Sequence, residues 1–172
     1  GEYRFRCITK CKVPRKAEEK GEQKMIIAIA SDHGGLDLKT AVIRHLEDKG
    51  YEVRDFGTRD KASCDYPDFA GPAAKAVASG EAEKGIVICT TGIGVSITAN
   101  KISGIRCALC HDVTTARLTR LHNDANVLAI GAGVIGENVA MDVVDTFLST
   151  AFSGEERHAR RIAKIAEYEE KQ

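Results

Sequence analysis

The uninterrupted apolar run Gly85-Ile86-Val87-Ile88-Cys89 breaks directly into Thr90-Thr91-Gly92-Ile93-Gly94, and this junction constrains the fold more than any other stretch of the chain. An apolar run without alternation describes a strand buried on both faces, which belongs in a parallel sheet covered by helices on either side. The glycines beyond it let the backbone turn sharply into a helix beginning near Val95. The same unit recurs along the chain. Met25–Ala30 runs into Ser31-Asp32-His33-Gly34-Gly35, and Leu36–Lys49 then carries apolar residues near helical spacing up to Gly50. Tyr51–Phe56 reads as a second strand, followed by a long polar loop to Pro67 and an alanine-rich helix over Asp68–Ser79. Ile105–Cys110, a helix over His111–Leu121, a strand over Val127–Gly131, a helix over Gly136–Ala151 and a charged helix from Glu155 to the end complete the pattern. Strands alternating with helices mean βαβ units. The expected fold is therefore α/β: a doubly wound, Rossmann-like, five-stranded parallel sheet with helices on both faces.

A chain of 172 residues suits one domain plus an appendage. Residues 1–24 hold eight Lys or Arg against four Glu with little apolar periodicity, so they read as a charged N-terminal extension or tag preceding a domain over 25–172. Lys and Arg balance Asp and Glu at 25 each, which leaves no overall basic field for nucleic acid. Trp is absent and aromatic residues make up 5%, too few for a base-stacking platform. No apolar stretch approaches the roughly 18 residues of a membrane span, and no secretory apolar core opens the chain. A cytoplasmic protein with neither membrane nor nucleic-acid partner is expected.

Six cysteines include Cys107 and Cys110, a C-x-x-C followed by His111. On a strand, positions three apart point to opposite faces, and no second C-x-x-C completes a zinc set. No metal is expected.

In doubly wound sheets ligands bind beyond the carboxyl ends of the strands, so the residues just after each strand carry the information. These are Asp32-His33-Gly34-Gly35, Cys89 to Gly94, His111-Asp112 and Gly131-Ala132-Gly133, with His122-Asn123-Asp124 ahead of the last strand. The third-strand turn offers successive N–H groups and a helix N-terminus, an anion cradle as readily as a plain connection. A thiol at Cys89 facing that cradle is favoured as thiolate and suits either attack on a carbonyl or proton abstraction beside one. It equally fits a small buried apolar cysteine. His122, expected in a polar turn after the fourth helix, is either a general acid/base or a complement to the helix dipole. Asp32 could simply cap a helix. Arg157 and Arg161 lie at i and i+4, on one helix face that could grip a phosphate or merely be solvated.

Taken together, Ser31-Asp32-His33-Gly34-Gly35, Asp65-Tyr66-Pro67-Asp68-Phe69, Cys89-Thr90-Thr91-Gly92-Ile93-Gly94, Ala99-Asn100-Lys101, His122-Asn123-Asp124-Ala125-Asn126-Val127 and Gly154-Glu155-Glu156-Arg157-His158 occur in an order that resembles the type B ribose-5-phosphate isomerases. That family also holds galactose-6-phosphate isomerase subunits, and the resemblance runs from Met25 to the C-terminus. It implies an aldose–ketose isomerase working through a cis-enediolate without metal or other cofactor. By position, Cys89 would move the proton between C1 and C2, and Thr91 with the N–H groups of Thr90, Gly92, Ile93 and Gly94 would hold the enediolate oxygen. His122 would open the sugar ring with Asp32 nearby. Asp32, His33 and Asn123 would contact sugar hydroxyls, and Tyr66 would line the pocket. Arg157 and Arg161 would bind phosphate from a neighbouring subunit, which the C-terminal helix would reach in a homodimer with shared sites. A tetramer stays open.

Two positions depart from the family pattern. Thr90 stands where Gly is usual, adding β-branched bulk to a tight turn. Gly133 stands where Arg is usual, removing a charge-assisted contact worth on the order of 1.5–3 kcal/mol if it faced phosphate. A six-carbon or unphosphorylated sugar such as allose therefore remains open as substrate. So do a non-catalytic sugar-phosphate-binding module and a cysteine-based redox or acyl-transfer protein.

Overall fold

A computed structural model describes residues 24–169; apart from Lys24, the charged segment expected over 1–24 lies outside the described residues. The chain alternates as β1 (Ile26–Ser31), α1 (Leu36–Asp48), β2 (Glu52–Asp55), α2 (Pro67–Ala78), β3 (Lys84–Cys89), α3 (Ile93–Ala99), β4 (Cys107–Leu109), α4 (Val113–Asn123), β5 (Val127–Gly131), α5 (Glu137–Ser149) and α6 (Glu156–Ala166). All five strands pair in parallel, in the order β2-β1-β3-β5-β4. The chain moves outward from β1 to β2, crosses back to β3, passes on to β4 at the far edge and returns to β5. The direction of winding reverses between β1 and β3, so a ligand crevice is expected at their carboxyl ends.

Side chains alternate across the sheet. Ile27, Ile29, Ile86, Ile88, Leu128 and Ile130 pack under α1, α4 and α5. Ala28, Ala30, Val87, Cys89, Val127 and Ala129 face α2 and α3 instead. That second layer is thin, because Ala70, Ala73 and Ala74 of α2 meet Ala28 and Ala30 of β1. Each large aliphatic side chain in the first layer contributes roughly 1.5–3 kcal/mol by leaving water. The same alternation separates the C-x-x-C pair: Cys110 joins the first layer and Cys107 packs against the second. A shared metal or disulfide between them is thereby excluded by direction.

Lys39 of α1 is among the largest of the fully buried side chains described. Its Nζ meets Asp55 Oδ1 at 2.6 Å and Thr58 O at 2.6 Å, tying the first helix to the end of β2. Burying an ammonium is tolerable because both partners face it directly.

Several boundaries differ from the sequence reading. α4 begins at Val113 because the Asp112 carboxylate accepts from Thr115 N at 2.8 Å. It ends only at Asn123, where Asp124 takes the left-handed conformation at φ 44°. His122 and Asn123 therefore sit in the last helical turn rather than in a polar turn. α3 starts two residues earlier than expected, at Ile93, and α6 stops at Ala166 rather than running to the end. Among the described residues, no helix is long and apolar enough to cross a membrane.

Candidate active site

β1 and β3 lie side by side, with Ser31 opposite Ile88, and the Asp32 N–H donates to Ile88 O. This brings the residues after β1 against those after β3. A cleft of about 420 Å³ opens there, lined by Asp32, Tyr66, Cys89, Thr90, Thr91, Ile93, Gly94 and Ile97. Cys89 is 5% exposed, and its Sγ accepts from the Gly92 N–H at 3.1 Å. The thiol thus sits on the α2/α3 side of the sheet at the cleft floor. Gly92 adopts φ 77°, and a Cβ there would meet Ile130 C at 2.8 Å and Gly131 N at 2.9 Å. Only glycine lets the turn pass this close to β5. Thr91 Oγ1 accepts from Ile93 N at 3.3 Å, which orients its hydroxyl at the start of α3. The Tyr66 ring lies where a Cβ on Gly94 would be, so this glycine lets the ring rest on the first turn of α3.

Asp32 is 7% exposed yet borders the cleft, and its Oδ1 accepts from Gly35 N at 3.1 Å. It both caps the short turn His33–Gly35 and faces the cleft. His33 is exposed beside it and receives the Cys64 N–H on Nδ1 at 3.3 Å. His111, another strand-end residue, accepts from Gly131 N on Nε2 at 3.1 Å, joining the end of β4 to β5.

The remaining candidates lie elsewhere. His122 does not line the Cys89 cleft; its ring stacks on His158 of α6 with centroids 4.4 Å apart. His158 is 4% exposed, its Nδ1 2.9 Å from Ser153 Oγ, and burial together with the His122 and Arg157 charges pushes its pKa below the usual imidazole value. Arg157 and Arg161 are exposed on the same helix, Arg157 bonded to Glu155 at 2.7 Å. Asn123 lines a larger groove of about 540 Å³ that runs from Asn100 and Arg106 to Ile165 and Tyr168. That groove offers neither a nucleophile beside an N–H cradle nor the switch-point position, so the smaller cleft is the candidate site. The cleft also includes Ile97, which sequence reading passed over; its trace was an outward apolar residue one turn beyond Ile93, and both stand more than half exposed.

Within one chain the site thus divides into two groups. Asp32, Tyr66, Cys89, Thr90, Thr91, Ile93 and Gly94 are together, whereas His122, Arg157 and Arg161 are gathered around the α4–α6 contact. Among the described residues, none of the side chains lining the cleft is cationic.

A doubly wound sheet with a thiol and a carboxylate bordering a cleft at its switch point is the arrangement of an α/β protein with a site for a small ligand. Residues 27–165 match the ribose/galactose isomerase family, to which the chain belongs; it is an isomerase. A solved ribose-5-phosphate isomerase B from Clostridium thermocellum is 54% identical, with 86% of this chain and 99% of that one covered at a TM-score of 0.84. The ribose-5-phosphate isomerase B of Escherichia coli is 44% identical over 145 residues, 84% of this chain and 97% of that protein. A Mycoplasma genitalium ribose-5-phosphate isomerase B solved with bound ribulose-5-phosphate is 41% identical, covering 88% and 100% of the two chains at a TM-score of 0.83.

Proposed function

We propose that this chain interconverts an aldose phosphate and its ketose, ribose 5-phosphate and ribulose 5-phosphate in the first place, by proton transfer through an enediolate. The reading rests above all on Cys89 lying at the floor of a switch-point cleft beside Thr91 and the N–H groups that open α3. Moving a carbonyl from C1 to C2 requires a base at the C2 proton and donors at the developing oxyanion. Cys89 takes the proton from C2 and returns it to C1. Thr91 and the amides of the turn hold the negative oxygen meanwhile. Asp32, His33 and Tyr66 orient the sugar hydroxyls.

A phosphate needs cations, and among the described residues the cleft is lined by none. Arg157 and Arg161 supply them from a second copy, and the stacked His122 and His158 tie α6 to the end of α4 as one unit. The partner subunit's His122 then arrives with the arginines to open the sugar ring against Asp32, with Asn123 alongside. The protein works as a homodimer with two shared sites, in the cytoplasm, and a further pairing to a tetramer is compatible with it. The missing cation at Gly133 favours one second reading, an unphosphorylated sugar bound in the same way.

The test is complementation. Cys89→Ala and the double variant Arg157→Ala/Arg161→Ala are each expected to lose turnover of ribose 5-phosphate. Mixed and reassociated at equal amounts, they are expected to regain about a quarter of wild-type activity, since half the dimers are mixed and each holds one intact site. No recovery on mixing would overturn the shared site. No turnover and no solvent deuterium entering the sugar with wild type, across aldoses of five and six carbons with and without phosphate, would overturn the isomerase reading.

A further inference from the structure

Thr90 is the exposed residue that follows the cleft cysteine, and its two γ atoms are wedged between two glycines from different loops. A Cβ placed on Gly34, in the turn after β1, would overlap Thr90 Oγ1. A Cβ on Gly133, in the turn after β5, would stand 3.0 Å from Thr90 Cγ2 and 3.1 Å from Thr90 O. The Gly133 N–H also donates to Thr90 O at 2.8 Å, so the turn after β5 is held against this residue. The space that side chains at 34 and 133 would otherwise fill is thus occupied by one side chain reaching in from β3.

We propose that Thr90 sets how long a sugar the cleft accepts, selecting five carbons over six; this rests on the isomerase reading above. A sugar phosphate in that reading is pinned at both ends, C1 and C2 at Cys89 and the phosphate at the arginines. The distance between the pins is set, in that reading, by how the two copies dock. A sixth carbon is then taken up by bowing the chain toward the carboxyl end of β3, into the gap between Gly34 and Gly133. Thr90 fills that gap with a methyl and a hydroxyl, about the bulk of the extra CHOH unit. Its stiff β-branched χ1 and the glycines on either side leave it no easy retreat. A one-carbon difference in a well-packed pocket discriminates by roughly 10–200-fold.

The experiment compares wild type with Thr90→Gly, Thr90→Ser and Thr90→Val. It measures kcat/KM on ribose 5-phosphate and allose 6-phosphate, and calorimetric affinities for the unreactive five- and six-carbon aldonate phosphates. Wild type is expected to prefer five carbons in both measurements. Thr90→Gly is expected to raise the six-over-five ratio about tenfold or more, Thr90→Ser by less, and the isosteric Thr90→Val hardly at all. Should Thr90→Gly fail to fold, the Ser variant decides: a rise of about threefold supports the filter and an unchanged ratio overturns it. Turnover with ratios unmoved overturns the filter and leaves the isomerase standing. Shifted aldonate affinities without turnover by wild type leave the filter standing and overturn the isomerase. Neither turnover nor a shift overturns both.

Discussion

The N–H of Gly92 donates to Cys89 Sγ at 3.1 Å, so the turn that opens α3 also fixes the direction of the thiol. Gly92 can do this only in its left-handed conformation, pressed against Ile130 and Gly131 of the neighbouring strand. Under the proposed mechanism, replacing the sulfur is therefore expected to remove the base while leaving the turn intact. Cys89→Ala should lower kcat about 10²–10⁴-fold, the usual worth of a positioned general base. Far-ultraviolet circular dichroism should be unchanged, and solvent deuterium should no longer enter C2. Undiminished exchange in the variant would assign the base to another group.

The remaining cysteines are expected to differ sharply in reactivity. Burial pushes the Cys107 thiol up to about 12, and burial also raises Cys110, so both stay protonated and inert near neutral pH. Cys64 is only half-buried, in the loop beside His33. Brief iodoacetamide treatment at pH 8, mapped by peptide mass spectrometry, should modify Cys64 well before Cys107 or Cys110. Early labelling of Cys107 in folded protein would contradict its placement.

The Lys39–Asp55 pair gives an ordered prediction. Asp55 keeps 26% side-chain exposure, whereas Lys39 keeps 2%. Removing the carboxylate strands a buried ammonium, and removing the ammonium leaves a carboxylate that water still reaches. Asp55→Ala should therefore destabilise by about 3–5 kcal/mol and Lys39→Met by less. Urea midpoints of the two variants check the order, and the reverse order would show that the pair is not as deeply buried as described.

Acid is expected to loosen the contact between α4 and α6. The pKa of His158 is held below the imidazole value by burial and by its positive neighbours, so the unfolded chain binds that proton more readily than the folded one. Stability conferred by this group is then complete above about pH 6.5 and declines as pH falls through the window beneath it. Melting temperatures from pH 7.5 to 5.5 should fall less steeply in His158→Gln than in wild type. Equal slopes would remove His158 from the account.

Much of this was legible in the sequence. The run from Gly85 to Cys89 announced a strand covered on both faces, and β3 is buried from Gly85 onward. Period-two alternation placed Cys107 and Cys110 on opposite faces. The family followed from six ordered motifs, two of which, Ser31–Gly35 and Cys89–Gly94, end strands, and the fold from strands alternating with helices. Strand order was not legible, since nothing local in Ile105–Cys110 says that β4 takes the edge and β5 the interior. The burial of Lys39 was not legible either, since its partner Asp55 is 16 positions away. The stacking of His122 on His158 is likewise a contact between distant segments. It was also hidden by a helix end set by the left-handed Asp124 and not by a breaking glycine or proline.

The two sides of the sheet are unequally open to further change. Under α1 and α5, aliphatic side chains of several shapes interlock, and a lost methylene on one can be regained on a neighbour. Between α2 and β1, alanine already meets alanine. There is almost nothing left to trim, and each added carbon forces the helix that begins just after Tyr66 away from the strand that ends at Ser31. Engineering for heat tolerance should therefore start on the aliphatic side, because repacking the alanine side would move two walls of the cleft apart.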